Sequence, residues 1–172
     1  MQRPEPNEHK PYVARYISLV PEGNFIDVLK QNTNDSIDFF TNIPTDKEDH
    51  RYADGKWSIK EVLIHIADTE RVMYYRALTG IRGDNKAIMY DMDQDLYTGN
   101  ADVSGRTLTD ILEEFSAIRT TGIKLFENIT EEQSQAIIQL KDGGIFSVRA
   151  IGYMNIGHIL HHINVIKERY LD

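Results

Sequence analysis

The sequence predicts an all-α protein built as a four-helix bundle, and three observations lead there. Four long segments carry apolar residues at helical spacing. Two of them open on a clear N-terminal signal, Ser58 with Glu61 three residues on, and Ser147. The β signal is confined to Ile137–Leu140 and Ile145-Phe146 around Lys141-Asp142-Gly143-Gly144, a minor hairpin before the last helix.

In chain order, residues 1–21 read as an N-terminal arm in which prolines alternate with Tyr12, Val13, Tyr16, Ile17 and Val20. This mixture predicts an extended segment packed on the bundle. A first helix from near Gly23 to before Pro44 is predicted by Phe25, Val28, Leu29, Asn32, Ser36, Phe39, Phe40 and Ile43, with a polar middle. The second starts at an Ser58 N-cap, with a capping box to Glu61 and Trp57 and Val62 at the staple positions, and is expected to stop at about Gly80. Its apolar stripe is Ile59, Val62, Leu63, Ile66, Met73 and Ala77. His65 lies at the edge of that stripe, in line with Thr69 and Arg76, and Glu70 lies within it. Ile81 to about Arg106 is a long crossover with a run of aspartates, expected to cross the bundle end and cover the site. A third helix spans about Thr107 to Asn128, with Leu108, Ile111, Leu112, Phe115, Ile118, Gly122, Leu125 and Ile129 as its buried face. Thr130 to Gln133 is a second capping box, for one short turn. The last helix runs from Ser147 to about Leu171, with Ile151, Asn155, His158, His162, Val165 and Ile166 on one side.

At 172 residues the chain fits a single domain spanning 1–172, long enough to bury a core. A net charge of −8 argues against a nucleic-acid binder, whose affinity rests on cations facing phosphates. With no cysteine there is no disulfide, thiolate site or cysteine nucleophile, so any metal must be held by His, Asp or Glu. The polar, proline-rich start lacks the apolar core of a signal peptide, and no stretch approaches the roughly 18 apolar residues of a membrane span. The expectation is a cytoplasmic protein without a membrane or nucleic-acid partner.

The chemistry centres on Gly157-His158-Ile159-Leu160-His161-His162. Residues i and i+4 differ by about 40° of helical rotation, so His158 and His162 leave one face of the helix. Two imidazoles so placed can reach one metal ion, and His65 on the second helix is the available third ligand. Three histidines suit a divalent transition metal such as Zn, Ni, Fe or Mn, and leave positions open for water, substrate or a thiol. The plainer alternative is a packed core histidine beside an exposed one. His161, about 60° from His158 and about 100° from His162, can replace one of them as ligand, flank the site or face solvent, and His9 and His50 carry no predicted role. Glu70 and Asp91 are the candidate general bases or supports of a ligand histidine, although Glu70 paired with Arg71, Arg76 or Arg149 would be structural instead. Asp91-Met92-Asp93-Gln94-Asp95 begins like a calcium loop but has Leu96 where glycine is needed and Asp102 where glutamate is needed, which argues against calcium.

Several stretches together resemble the DinB-like superfamily of metal-binding four-helix bundles. They are the run from Arg51 to Arg71, Tyr75-Arg76-Ala77-Leu78 with Arg82-Gly83-Asp84, Ser147-Val148-Arg149-Ala150, the histidine segment, and Glu168-Arg169-Tyr170-Leu171. The resemblance implies an up-down-down-up bundle with the long crossover between helices 2 and 3. It also implies a metal on His65, His158 and His162. It further implies a small-molecule substrate, a hydrolase or a thiol S-transferase using bacillithiol or a similar low-molecular-weight thiol, and a homodimer. Mycothiol-dependent isomerases are among the family's members. A non-catalytic metal-binding stress-response module is the rival reading, since fold and metal do not fix reaction.

Overall fold

The computed structural model describes residues 1–171. Among them lie seven α-helices: α1 (Ala14–Ile17), α2 (Phe25–Thr41), α3 (Ile59–Ile81), α4 (Gln94–Asn100), α5 (Leu108–Glu127), α6 (Glu131–Ser134) and α7 (Val148–Arg169). The strands β1 (Ile137–Gln139) and β2 (Ile145–Ser147) pair antiparallel, with Ile138 opposite Phe146.

The long helices α2, α3, α5 and α7 form the bundle. α3 packs on α5 and α7, and α2 packs on the same two. α3 and α5 are neighbours joined by the crossover rather than by a tight turn, which gives the up-down-down-up order. The N-termini of the four long helices and of α6 are each fixed by a side chain. Asn24 caps α2, and Ser58 with Glu61 forms the capping box of α3. Thr107 caps α5, Thr130 with Gln133 boxes α6, and Ser147 caps α7.

The stop of α3 differs from the expectation. Gly80 is inside the helix, where an added Cβ would fall 2.9 Å from the side chains of Ile138 and Val148. The terminating glycine is Gly83, at φ 67°. Its N–H donates to Gly80 O at 3.1 Å and that of Asp84 to Thr79 O at 2.9 Å, the two bonds of a Schellman cap.

The arm also differs. It packs on the bundle as expected but is not extended: 3₁₀ turns at Pro6–Glu8 and Pro11–Val13 lead into α1. Proline at the first position of each turn presets φ without losing a needed donor, so prolines that read as extended instead start turns. Val13, Tyr16, Ile17 and Val20 are buried against the bundle. This covers the outer side of α7, which is buried on every side from Val148 to Ile159 rather than along the single face predicted. Glu8 pins the arm to the start of α7, accepting from Ser147 Oγ and Arg149 Nε, each at 2.7 Å.

The crossover is more ordered than a loop. Asp93 caps α4, and Met89 bridges to Leu140 beside the hairpin. No helix among the described residues is long and apolar enough to cross a membrane.

Candidate metal centre

Three histidines converge where α3 meets α7. His158 Nε2 lies 3.2 Å from His65 Nε2 and 3.1 Å from His162 Nε2. One nitrogen from each ring falls within 4.8 Å of the others, a group that can hold a metal ion. His65 and His158 are buried, and His162 is half-buried. The capping box fixes the start and rotation of α3, which sets where His65 emerges. The i,i+4 spacing on α7 places the other two rings on one face.

Aromatic side chains hold the rings. Trp57, the residue before the Ser58 cap, stands 4.7 Å from the His65 ring between centroids. Tyr16 meets His158 edge-on at 5.3 Å. The Nδ1 atoms of His65 and His158 are buried with no hydrogen-bond partner among the described residues, so packing rather than a bonded carboxylate orients both rings. Burial pushes the pKa of His65 down to about 4 and that of His162 down to about 3, and lowers His158 well below the ordinary histidine range. All three are neutral near pH 7, the form that donates a lone pair.

Two hollows flank the cluster. A cleft of about 450 Å³ is lined by His162 and His161 together with Trp57, Tyr52, Lys56 and Asp95. A narrow hollow of about 80 Å³ is lined by His65 and His158, by Thr69 and Arg76 of α3, and by Asp91 and Gln94 of the crossover. Residues of the acidic crossover line both hollows: Asp95 the cleft, and Asp91, Met92 and Gln94 the narrow hollow. Most of the crossover carboxylates have other partners: Asp93 caps α4, Asp102 accepts from Ser104 within the loop, and Asp91 accepts from Lys10 Nζ of the arm at 2.5 Å.

Asp91 therefore lies on the hollow beside two of the histidines, whereas Glu70 lines neither cavity. Its partner is none of Arg71, Arg76 and Arg149. Arg119 of α5, absent from the predicted buried face, donates to Glu70 Oε1 from Nε at 2.8 Å, and Tyr74 Oη donates to Oε2 at 3.1 Å. Burial pushes the Glu70 carboxyl up, opposed by the Arg119 guanidinium and the Tyr74 hydroxyl. His161 flanks the cluster, 5.3 Å from the His162 ring and 5.5 Å from Tyr16. His9 is buried and bridges Phe146 of β2, away from the cluster. The parts missed in the sequence are Tyr16 and Trp57 as ring supports. Trp57 was visible only as a staple residue.

A four-helix bundle with two ligand-competent histidines on the last helix and a third on the second defines the class of this protein. The sequence profile of the DinB superfamily matches residues 29–166, and the chain belongs to that superfamily. No curated protein matches the sequence. The solved structures that share the fold include the following three. YfiT from Bacillus subtilis, a probable metal-dependent hydrolase with an unusual four-helix bundle topology, superposes at a TM-score of 0.70 and 17% identity, covering 97% of this chain and 90% of YfiT. A mycothiol-dependent maleylpyruvate isomerase superposes at 0.63 and 11% identity over 86% of this chain, which spans only 61% of that protein. A DinB-like protein of B. subtilis, YjoA, superposes at 0.56 and 16% identity, covering 87% of this chain and 91% of YjoA.

Proposed function

We propose that His65, His158 and His162 hold one divalent transition metal ion, and that the protein is a metal-dependent enzyme acting on a small molecule. The observation that carries this reading is the convergence of three neutral imidazole nitrogens on one point. A shared proton can join two such nitrogens, but the third then faces a lone pair, whereas a cation serves all three. Nitrogens held about 2.0–2.1 Å from one ion stand roughly 2.9–3.4 Å apart, depending on the angle between them. The separations of 3.1 and 3.2 Å fit. An all-imidazole donor set suits Zn, Ni, Fe or Mn.

When bound, such an ion supplies Lewis-acid activation of water or of a low-molecular-weight thiol. The chain's own residues do the rest. Trp57 and Tyr16 hold the imidazoles in register. The larger cleft, with Trp57, Tyr52 and Lys56 on its walls, has room for a small cosubstrate. Asp91 presents a carboxylate to the hollow beside His65 and His158 and is the candidate proton acceptor. Since the chain has no cysteine, the sulfur of a thiol-transfer reaction has to come from the cosubstrate. The neighbours support both chemistries, one being described as a metal-dependent hydrolase and another as mycothiol-dependent. Assembly as a homodimer belongs to the same reading.

The test is metal content by plasma mass spectrometry on untagged protein never exposed to a nickel column. About one transition metal per chain, lost in His65→Ala with helicity retained, supports the site. Chelator-sensitive consumption of monochlorobimane with added thiol, or of an ester without it, then separates transferase from hydrolase. Metal without either turnover favours the non-catalytic module.

A further inference from the structure

The narrow hollow holds a buried cation that has no ion-pair partner among the described residues. Arg76 is 2% exposed and, among the described residues, no carboxylate comes within ion-pair distance of it. Its guanidinium donates to the Tyr90 carbonyl and makes a 3.6 Å contact with Met73 Sδ. The other buried arginines of the bundle are paired: Arg119 has Glu70 at 2.6 Å, and Arg149 has Glu8. Asp91 lies on the same hollow but is taken by Lys10 at 2.5 Å, and Lys10 also holds Asp142 at 2.7 Å. A buried guanidinium without an ion-pair partner is costly, and desolvation pulls the pKa of Arg76 below the usual arginine value even though the more distant Asp91 and Asp142 carboxylates oppose it.

A second buried polar group lines the hollow. Thr69 is buried and its Oγ1 has no hydrogen-bond partner among the described residues. His65, Thr69, Met73 and Arg76 follow one another at helical spacings of four, four and three, so the hollow runs along a single stripe of α3. At about 80 Å³ it is narrow. One end has two of the converging histidines, and further along stand a cation without an ion-pair partner and a hydroxyl without a hydrogen-bond partner among the described residues.

We infer that this stripe is a binding site for a short-chain carboxylate, with the carboxylate on Arg76, Thr69 as an added hydrogen-bond donor, and the other end of the molecule facing His65 and His158. A carboxylate suits Arg76 because it is planar and accepts from two guanidinium N–H groups at once. The inference rests on the proposed enzyme reading only for calling this acid the substrate; the anion site itself does not require the metal.

The experiment measures binding of hexanoate, with hexanamide as the uncharged control, by titration calorimetry and by the shift in melting temperature. It uses the metal-loaded full chain, Arg76→Gln, Arg76→Lys and the metal-free His158→Ala variant. Hexanoate is expected to bind at least tenfold more tightly than hexanamide. Arg76→Gln should abolish that preference with metal content unchanged, and Arg76→Lys should keep part of it. Equal binding of acid and amide overturns the inference, as does a hexanoate affinity untouched by Arg76→Gln, which would put the acid on the metal. If Arg76→Gln does not fold, the acid–amide preference of the unmodified chain and of Arg76→Lys decides. A preference that survives in His158→Ala supports the anion site even if the metal reading fails. Normal metal loading without any acid preference sinks the anion site and leaves the metal reading standing.

Discussion

Arg119 and Glu70 meet at the centre of the bundle with neither side chain exposed to solvent, Nη2 lying 2.6 Å from Oε1. The pair ties all four long helices together. Arg119 Nη1 donates to Asn32 Oδ1 on α2 at 2.8 Å, and Nη2 donates to the Asn155 carbonyl on α7 at 3.2 Å. Since Asn155 is one turn before His158, the network fixes the register of the helix that carries two of the three histidines. Removing one partner leaves the other charge buried and uncompensated, which costs about 3–5 kcal/mol. Arg119→Leu is therefore expected to lose about that much in urea unfolding, whereas Arg119→Leu with Glu70→Met should recover most of it. A double variant no more stable than Arg119→Leu would show that the pair contributes through its hydrogen bonds rather than by mutual neutralisation.

The arm should come loose in acid. Hydrogen bonding to Arg149 holds the Glu8 carboxyl below its ordinary value, against a burial effect that raises it, with Ser147 adding to the lowering. A carboxylate with a depressed folded pKa binds its proton more weakly in the folded chain. Its contribution is complete above the unfolded value of about 4.3 and is lost as pH falls through the folded value. Glu8→Gln should lower stability at pH 7 and flatten the pH dependence below about 4.3. Unfolding of both proteins between pH 7 and 3 checks this, and an unchanged acid slope would place the pinning elsewhere.

Much of this architecture is legible in the sequence because it is written in local signals. The Ser58–Glu61 and Thr130–Gln133 boxes and the Ser147 cap depend on residues three apart, and the His158–His162 face depends on four. Arg119 was not legible, because an arginine on a helix is read as solvent-facing until its partners are known, and those lie on three other helices. The polar middle of α2 was the visible half of the same feature: Asn32 is polar because it faces Arg119. The alignment of His65, Thr69 and Arg76 could be read from spacing, but not the lack of an acidic partner for Arg76. Gly80 was read as the stop of α3 because glycine often ends helices, whereas its role is to admit Ile138 and Val148.

Asp91 and Glu70 separate in their expected effects on activity. Asp91 lies on the hollow beside His65 and His158, while Glu70 has both oxygens engaged by Arg119 and Tyr74. Asp91→Asn is expected to reduce turnover by roughly 10²–10⁴-fold, the usual contribution of a general base, with metal content and melting temperature nearly unchanged. Glu70→Gln should act mainly on stability. Turnover retained in Asp91→Asn would remove Asp91 as the proton acceptor and leave it as a partner of Lys10.

Gly157 sets how closely the arm approaches the histidines. A Cβ at this position would fall 1.9 Å from the carbonyl oxygen of Tyr16, a backbone atom that cannot swing aside as a side chain can. The close approach lets α1 lie on α7 and brings the Tyr16 ring against His158 and His161. Gly157→Ala adds one methyl group yet has to push α1 away, so helix propensity, which favours alanine by about 1 kcal/mol, is outweighed by overpacking of roughly 1–3 kcal/mol or more. Lower stability and weaker metal retention are expected together, because Tyr16 no longer supports the His158 ring. Removing the ring alone, in Tyr16→Ala, separates the two effects: metal retention should fall there as well, without the steric displacement of α1. Tight metal retention in both variants would show that the histidines keep their geometry without the arm.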